Sequence, residues 1–401
     1  MAVFCLLLQA SAELWYFDRV PCPLPPGHCL ADAPPASRMA AMEEPLPLNE
    51  TLQYARALLQ DAVMVEHSTI PLYLTALYSI MDCLPHSKNC SSSAYASKTI
   101  HSVVLEEMLH MSIAANVLNA IGGEPVIDSP DFIPTFPLDL PLTNVSVDIR
   151  SLDKANVRNF MLIESTTNMA KSIGAAYEYV LSILQALSGE YGEQAVFTGN
   201  YSRQLEVKVM NQTAPKVATL RQAVTALLGV SDQGGGCPVP GQEQFWPNIS
   251  NISAGPLGGQ LSHFARFYEI AAGRRFRSND TTDSGPTGDP VVTDWVNVYT
   301  FVPNPKVSDF AVGTKAHELT HAFASKYTSL LVMLHKVFNG APETFGSTVG
   351  AMMTLVQMAV TLFNTPDPRA PAHGLGIGPT WEYIASASEH AARNNRTGTV
   401  P

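Results

Sequence analysis

The alternation of apolar and polar positions is helical over most of the chain and is strongest between Leu52 and Pro125. A first run, LLQDAVMVEHSTIPLYLTALYSI, sets Leu59, Val63, Ile70 and Tyr73 on one stripe, with Glu66 inside it. A second, TIHSVVLEEMLHMSIAANVLNAIGG, aligns Val103, Ala114, Val117 and Ile121, with Glu107 and His110 at its centre, one above the other. The first helix is expected to start at an Asn49 or Thr51 cap and to run to about Met81, kinked at Pro71. The second is expected from about Ser93 to the Gly122–Gly123 stop. Residues 124–152 are Pro-rich and read as a crossover. A third helical region covers 154–188, with Ile173, Ala176, Tyr177, Val180, Leu184 and Leu187 inward, Glu178 outward and Glu164 on the face of Phe160 and Thr167. Residues 200–230 read as more helix, and a Gly/Pro loop follows. LGGQLSHFARFYEIAAGR is a short helix with Leu257, Leu261, Phe264, Tyr268 and Ala271 inward and His263 at the edge of that stripe. PVVTDWVNVYTFVP suggests a strand pair, 310–363 a helical hairpin turning at Asn339-Gly340-Ala341-Pro342, and the tail after Pro366 is irregular.

A carboxylate inside an apolar stripe is costly to bury unless it is paired or bound to a metal. Glu66, Glu107 and His110, on two neighbouring helices, therefore point to one shared ligand. A lone Glu on one helix and Glu-x-x-His on the next is half of the ferritin-like di-iron pattern, which requires a second such half. The competing reading is a buried Glu–His hydrogen bond in an ordinary helical core. Position on the stripe carries more weight than the spacing, which is common by chance.

Beyond these ligands the wording is specific. Glu66-His67-Ser68-Thr69-Ile70-Pro71-Leu72-Tyr73-Leu74 is followed by Glu106-Glu107-Met108-Leu109-His110-Met111, then Asn116, Asn119-Ala120-Ile121-Gly122-Gly123 and FIPTFPLDLP. Weaker matches lie at Ile163-Glu164, Ile173-Gly174, Ser262-His263-Phe264 and Gly378-Pro379-Thr380. In these residues the chain resembles the ferritin-like domain of iminophenyl-pyruvate dimer synthases, specifically over 50–141 and more loosely to 385. The resemblance implies an all-α fold, a ferritin-like four-helix bundle with a long crossover and an appended C-terminal hairpin. It also implies an oxidative enzyme that couples two aryl imino-pyruvate units at an iron centre. Glu66, Glu107 and His110 would be ligands, Glu106 a bridging or supporting group, and His263 and Glu164 would come from the other helix pair. The chain departs from the family at Ala175 and Gly235, where Glu is usual, and in Gln260-x-x-His263, where a second Glu-x-x-His is expected. An amide is a poorer iron ligand than a carboxylate and leaves the cation's charge uncompensated. One iron is thus expected to be held firmly and a second weakly.

Two rival readings follow from other residues. The worn positions Gln260, Ala175 and Gly235 suit a secreted helical binding or structural protein with a degenerate site. His317-Glu318-Leu319-Thr320-His321 has the spacing of a zinc hydrolase motif. Its helix, however, buries Leu319, Phe323, Leu330, Leu334 and Val337, so both histidines face away, and Glu343 is a weak candidate for the third ligand.

The net charge of −11, with no basic run, argues against nucleic acid as a partner, and no apolar stretch is expected to reach the roughly 18 to 20 residues of a membrane span. A small-molecule substrate is compatible, and oligomeric state is open. Residues 1–12 read as a candidate signal peptide and 13–48 as a Pro-rich arm. The ferritin-like unit is placed at 49–275, a linker at 276–309, the hairpin at 310–385 and a tail at 386–401. Sequons occur at Asn49, Asn89, Asn144, Asn200, Asn211, Asn248, Asn251, Asn279 and Asn395. Nineteen asparagines would give about three by chance, so the excess indicates a secreted or secretory-lumen glycoprotein. Of the six cysteines, Cys5 would leave with the signal, Cys22 with Cys29 and Cys83 with Cys90 are spaced for local disulfides, and Cys237 is left over. Expressed in a eukaryotic host, the protein should lose the mass of several glycans on glycosidase treatment. An unchanged mass, with free thiols at Cys83 and Cys90, contradicts secretory routing.

Overall fold

The computed structural model describes residues 47–81, 93–140, 145–164, 173–209, 212–233, 261–277, 280 and 284–385. Helix α1 spans Leu48–Tyr78 and α2 spans Ala94–Ala120. The stripes of both helices are buried as expected, Glu66 and Glu107 with them. The expected caps of α1 do not form: the helix is entered from Pro47 without a side-chain cap, and Thr51 is instead swallowed by the core. The helix continues through Pro71, where the Thr75 hydroxyl donates to the Pro71 carbonyl at 2.7 Å. At the end of α2, Gly122 takes φ 78°, a left-handed turn that brings the Gly123 N–H onto the Leu118 carbonyl at 2.9 Å.

The crossover carries an antiparallel ladder of β1 (Leu138–Leu140) with β2 (Val145–Val147). The third helical region is two helices. α3, Lys154–Ile163, starts at Asp153, whose carboxylate accepts from the Asn156 N–H, and closes on Glu164; α4 is Ile173–Tyr191. Residues 165–172 between them, STTNMAKS, lie outside the described residues. A short α5, Glu193–Val196, follows. The helix expected over 200–230 forms only in its second half, as α6, Leu220–Gln233. Its first half is a second antiparallel ladder of β3 (Val207–Val209) with β4 (Gln212–Ala214), whose alternating side chains suit a two-residue period. The Asn116 amide on α2 locks this region down, donating to the carbonyls of Leu205 and Pro215 and accepting from the Leu205 N–H.

α7 spans His263–Ala272, with Ser262 accepting from the Ala265 N–H as its cap. Its innermost face is not the expected one. His263, Phe267 and Ile270 are fully enclosed, while Phe264 and Tyr268 are half-buried and Tyr268 packs on Phe276 in a small satellite cluster. The helix is apolar on two sides, so periodicity alone chose the outer one.

The expected strand pair at 290–303 is absent. The segment instead makes single bridges to distant partners, Val298 to Ile80 and Phe301 to Gly376, and the Tyr299 N–H donates to the Ser79 carbonyl at 2.8 Å. α8 (Lys315–Phe338) and α9 (Phe345–Phe363) form the hairpin. Contrary to expectation, one stretch does have the length and apolar composition to cross a membrane: Pro342–Phe363, 22 residues. Its Ser, Thr and Gln residues interrupt a strictly apolar run, yet no charge falls between Glu343 and Asp367. Here it lies on α8 through Leu355, Val356, Ala359, Leu362 and Phe363.

α1 packs on α2 and α4, α7 on α2 and α3, and α6 on α4. One apolar core runs from Leu52 through the bundle and hairpin to Trp381. Trp381 seals the junction: its ring meets Phe323 and Tyr327 edge-on, and its indole N–H donates to the Thr75 hydroxyl of α1 at 2.8 Å.

Candidate metal centre

Five helices deliver polar groups to one enclosed point inside this core. α1 supplies Glu66 and Tyr73, α2 supplies Glu106, Glu107 and His110, and the end of α3 supplies Glu164. Tyr177 comes from α4, and His263 with Arg266 from α7. The stripe positions read from the sequence explain the first two helices. Glu164 arrives because α3 stops there, and His263 because the inward face of α7 begins with it.

Two three-ligand groups result, each with its donor atoms within 4.8 Å of one another: Glu66, Glu107 and His110, and Glu107, Glu164 and His263. Glu107 belongs to both. His110 Nδ1 lies 3.5 Å from Glu66 Oε2 and 3.9 Å from Glu107 Oε2. His263 Nδ1 lies 2.8 Å from Glu107 Oε1 and 3.5 Å from Glu164 Oε2. The two imidazoles stack nearly parallel across the site, 5.6 Å apart. All five expected ligands, Glu66, Glu107, His110, Glu164 and His263, are thus brought together.

Around them sits a layer that aims them. His263 Nε2 and the Arg266 guanidinium approach Glu106 Oε2 at 2.8 and 3.0 Å, so this oxygen of Glu106 supports the site from behind. With Nε2 committed to Glu106, the ring presents Nδ1 to the carboxylates. That nitrogen is buried and close to Glu107, yet not aligned for a hydrogen bond, which is the geometry of a donor turned toward a common centre. Carboxylate oxygens with imidazole nitrogens are a donor set that a divalent cation, iron among others, accepts. The Tyr177 hydroxyl donates to Glu66 Oε1 at 2.8 Å, and Tyr73 donates to Glu164 Oε1 at 2.5 Å. Both tyrosines had been legible only as apolar stripe positions, and Arg266 carried no signal beyond lying one turn after His263. Gln260, Gly235, all six cysteines and the sequons Asn89, Asn144, Asn211, Asn248, Asn251, Asn279 and Asn395 lie outside the described residues. Asn49 and Asn200 are exposed, and Ala175 is half-buried on α4.

The charges are compressed enough to move protons. Burial, then the Glu164 and Glu66 charges, push the Glu107 carboxyl up to about 8. Burial opposes a proton on His110, but its hydrogen bond to Glu66 and the charges of Glu66 and Glu107 prevail and raise it to about 8. His263 is raised well above its ordinary value against burial by Glu164, Glu106 and Glu107. Glu66 is held low, against burial, by His110 and Tyr177. Next to it on α1, His67 faces the hairpin: its Nε2 meets the Tyr327 hydroxyl at 2.9 Å, and burial pushes its pKa down to about 3, so it is a neutral packing residue.

The other motif gathers nothing comparable. His317 and His321 stack at 5.9 Å on the outer face of α8 with Glu318 exposed, and among the described residues neither joins a three-ligand group. Glu343 is exposed beyond the far end of α8.

The chain belongs to the ferritin-like family, whose profile matches residues 59–272. Among solved structures it is similar to a ferritin-like protein from Caulobacter vibrioides, with 23% identity and a TM-score of 0.51 over 85% of this chain and 100% of that one. No curated protein matches it.

A cation bound here would replace protons. Its binding would release protons from Glu107 and the histidines, and apparent affinity should rise as pH climbs through about 8. Titration calorimetry in two buffers of different ionisation enthalpy counts the protons. Affinity that is flat between pH 6 and 8 contradicts this assignment (roughly the window of the raised groups).

Proposed function

We propose that this protein is a non-haem iron enzyme that carries out an oxidative reaction on a small molecule, of the kind that couples aryl imino-pyruvates. The observation that carries the metal reading is Glu107, shared between two buried three-ligand groups of carboxylate and imidazole donors. The choice of iron and of the coupling chemistry rests on the resemblance in Glu66–Leu74 and Glu106–Met111. Glu66, Glu107 and His110 would hold one ion, and Glu107, Glu164 and His263 a second. Bound iron would supply one-electron chemistry with dioxygen or with the substrate.

The chain's own residues do the rest. Glu106 keeps the proton on His263 Nε2, and the His263 hydrogen bond, then the Arg266 charge 3.0 Å away, hold the Glu106 carboxyl below its ordinary value against burial. Tyr177 and Tyr73 each hold one oxygen of a terminal carboxylate, which leaves the other oxygen to face the centre. Phe160, Phe267 and the enclosed faces of α1 and α2 exclude water, which strengthens every charge interaction inside. A second reading, a helical binding protein with a degenerate site, is favoured by one residue, Gln260, where a carboxylate would complete the second half. Passage through a secretory compartment is also proposed, supported by the nine sequons.

Iron per chain separates the readings. The wild type should hold at least one ion, Glu107→Gln should lose most of it while keeping its helical content, and Gln260→Glu should raise occupancy toward two. Chelator should lower the wild-type melting temperature, because the buried carboxylates lose their counter-charge. No iron in any of the three, with a melt indifferent to chelator, supports the degenerate binder.

A further inference from the structure

The segment that leads from α5 to β3 presents one sequon on a rigid turn. Asn200, Tyr201 and Ser202 are all exposed, and Tyr201–Arg203 form a single 3-10 turn that Asn200 caps. The turn is clamped on both sides. Ahead of it, the Gly199 N–H donates to the Ala120 carbonyl at 2.9 Å, and the backbones lie so close that a Cβ at Gly199 would stand 1.7 Å from the Asn119 carbonyl oxygen. Behind it, the Arg203 guanidinium donates to Glu124 Oε1 and to Asn339 Oδ1, each at 2.7 Å. The cap uses only half of the Asn200 carboxamide. Oδ1 accepts from the Ser202 N–H at 2.9 Å and from the Ser202 hydroxyl at 2.7 Å, while among the described residues nothing is bonded to Nδ2.

We propose that Asn200 is a site of N-glycosylation. The sugar attaches at Nδ2, the atom this turn leaves unused, and it attaches where a bulky group meets solvent on every residue of the sequon. The donor is an oligosaccharide carried on a lipid pyrophosphate. The bond from sugar C1 to the pyrophosphate oxygen breaks, the bond from C1 to Nδ2 forms, and one amide proton leaves to a base. Nothing is oxidised or reduced. Oδ1 remains a carbonyl acceptor in the product, so the cap on Ser202 survives the modification. The turn is also clear of the metal centre, because it is fastened to the Ala120 end of α2, about 15 Å along that helix from His110. Asn49, the other described sequon, is exposed as well, but it lies in the first turn of α1 and its Thr51 is enclosed by the core. Packing of α1 withdraws that hydroxyl, whereas Ser202 stays on the surface, so Asn200 is addressable before and after folding.

The inference rests on the secretory reading above, and the test keeps the two apart. The full chain is expressed in a eukaryotic host, treated with peptide N-glycosidase in heavy-oxygen water, which turns each glycosylated Asn into a labelled Asp, and mapped by mass spectrometry. Asn200 should carry the label in most molecules. Asn200→Asp keeps an oxygen for the Ser202 cap, so it should lose the mass of one glycan with an unchanged melting temperature. Label at other sequons with Asn200 unmodified, or the full wild-type glycan mass in Asn200→Asp, overturns the site and leaves secretory routing intact. No label at any sequon overturns both. The map is read on the wild type, so it decides even if Asn200→Asp does not fold.

Discussion

Three carboxylates buried within reach of one another are the constraint around which this molecule is built. Glu66, Glu107 and Glu164 are each less than a tenth exposed and lie inside an apolar bundle. Uncompensated, such a cluster would cost several kcal/mol for each charge. Protons answer part of that demand: burial and the neighbouring carboxylates push Glu107 up to about 8, and the carboxylates raise His110 to about 8 and His263 well above its ordinary value. A cation in their place would satisfy the same demand without protonating the ligands.

The surrounding structure serves to hold that cluster in register. Glu106 and Arg266 form a second buried ion pair behind His263, which fixes the ring's direction from outside the centre. The C-terminal hairpin, although remote from the ligands in sequence, grips α1 beside them through Tyr327 on His67 and Trp381 on Thr75. Both contacts fall within three turns of Glu66. The hairpin therefore stiffens the helix that carries the first ligand, and its own histidine pair on α8 stays on the outside.

Much of this was legible in the sequence where two signals coincided. Glu66, Glu107 and His110 showed because each broke an apolar stripe, and the resemblance extended the set to Glu164 and His263. The arrangement failed to show where chemistry and periodicity agreed with a bland core. Tyr73 and Tyr177 fit their stripes so well that their hydroxyls went unread, and α7 offered two apolar faces of which the outer fits the helical step. Glu164 could be placed inward only once α3 was seen to end there. The bridges of Val298 and Phe301 depend on partners far away in the chain, which no local pattern encodes.

The shared role of Glu107 is the centre of the account, and anomalous diffraction from crystals grown with ferrous iron examines it most directly. Data collected on both sides of the iron absorption edge should place a strong peak beside Glu107 within the Glu66–His110 group, with a second, weaker one toward Glu164 and His263. Crystals with no peak at Glu107, or with iron only at His317 and His321, would contradict it.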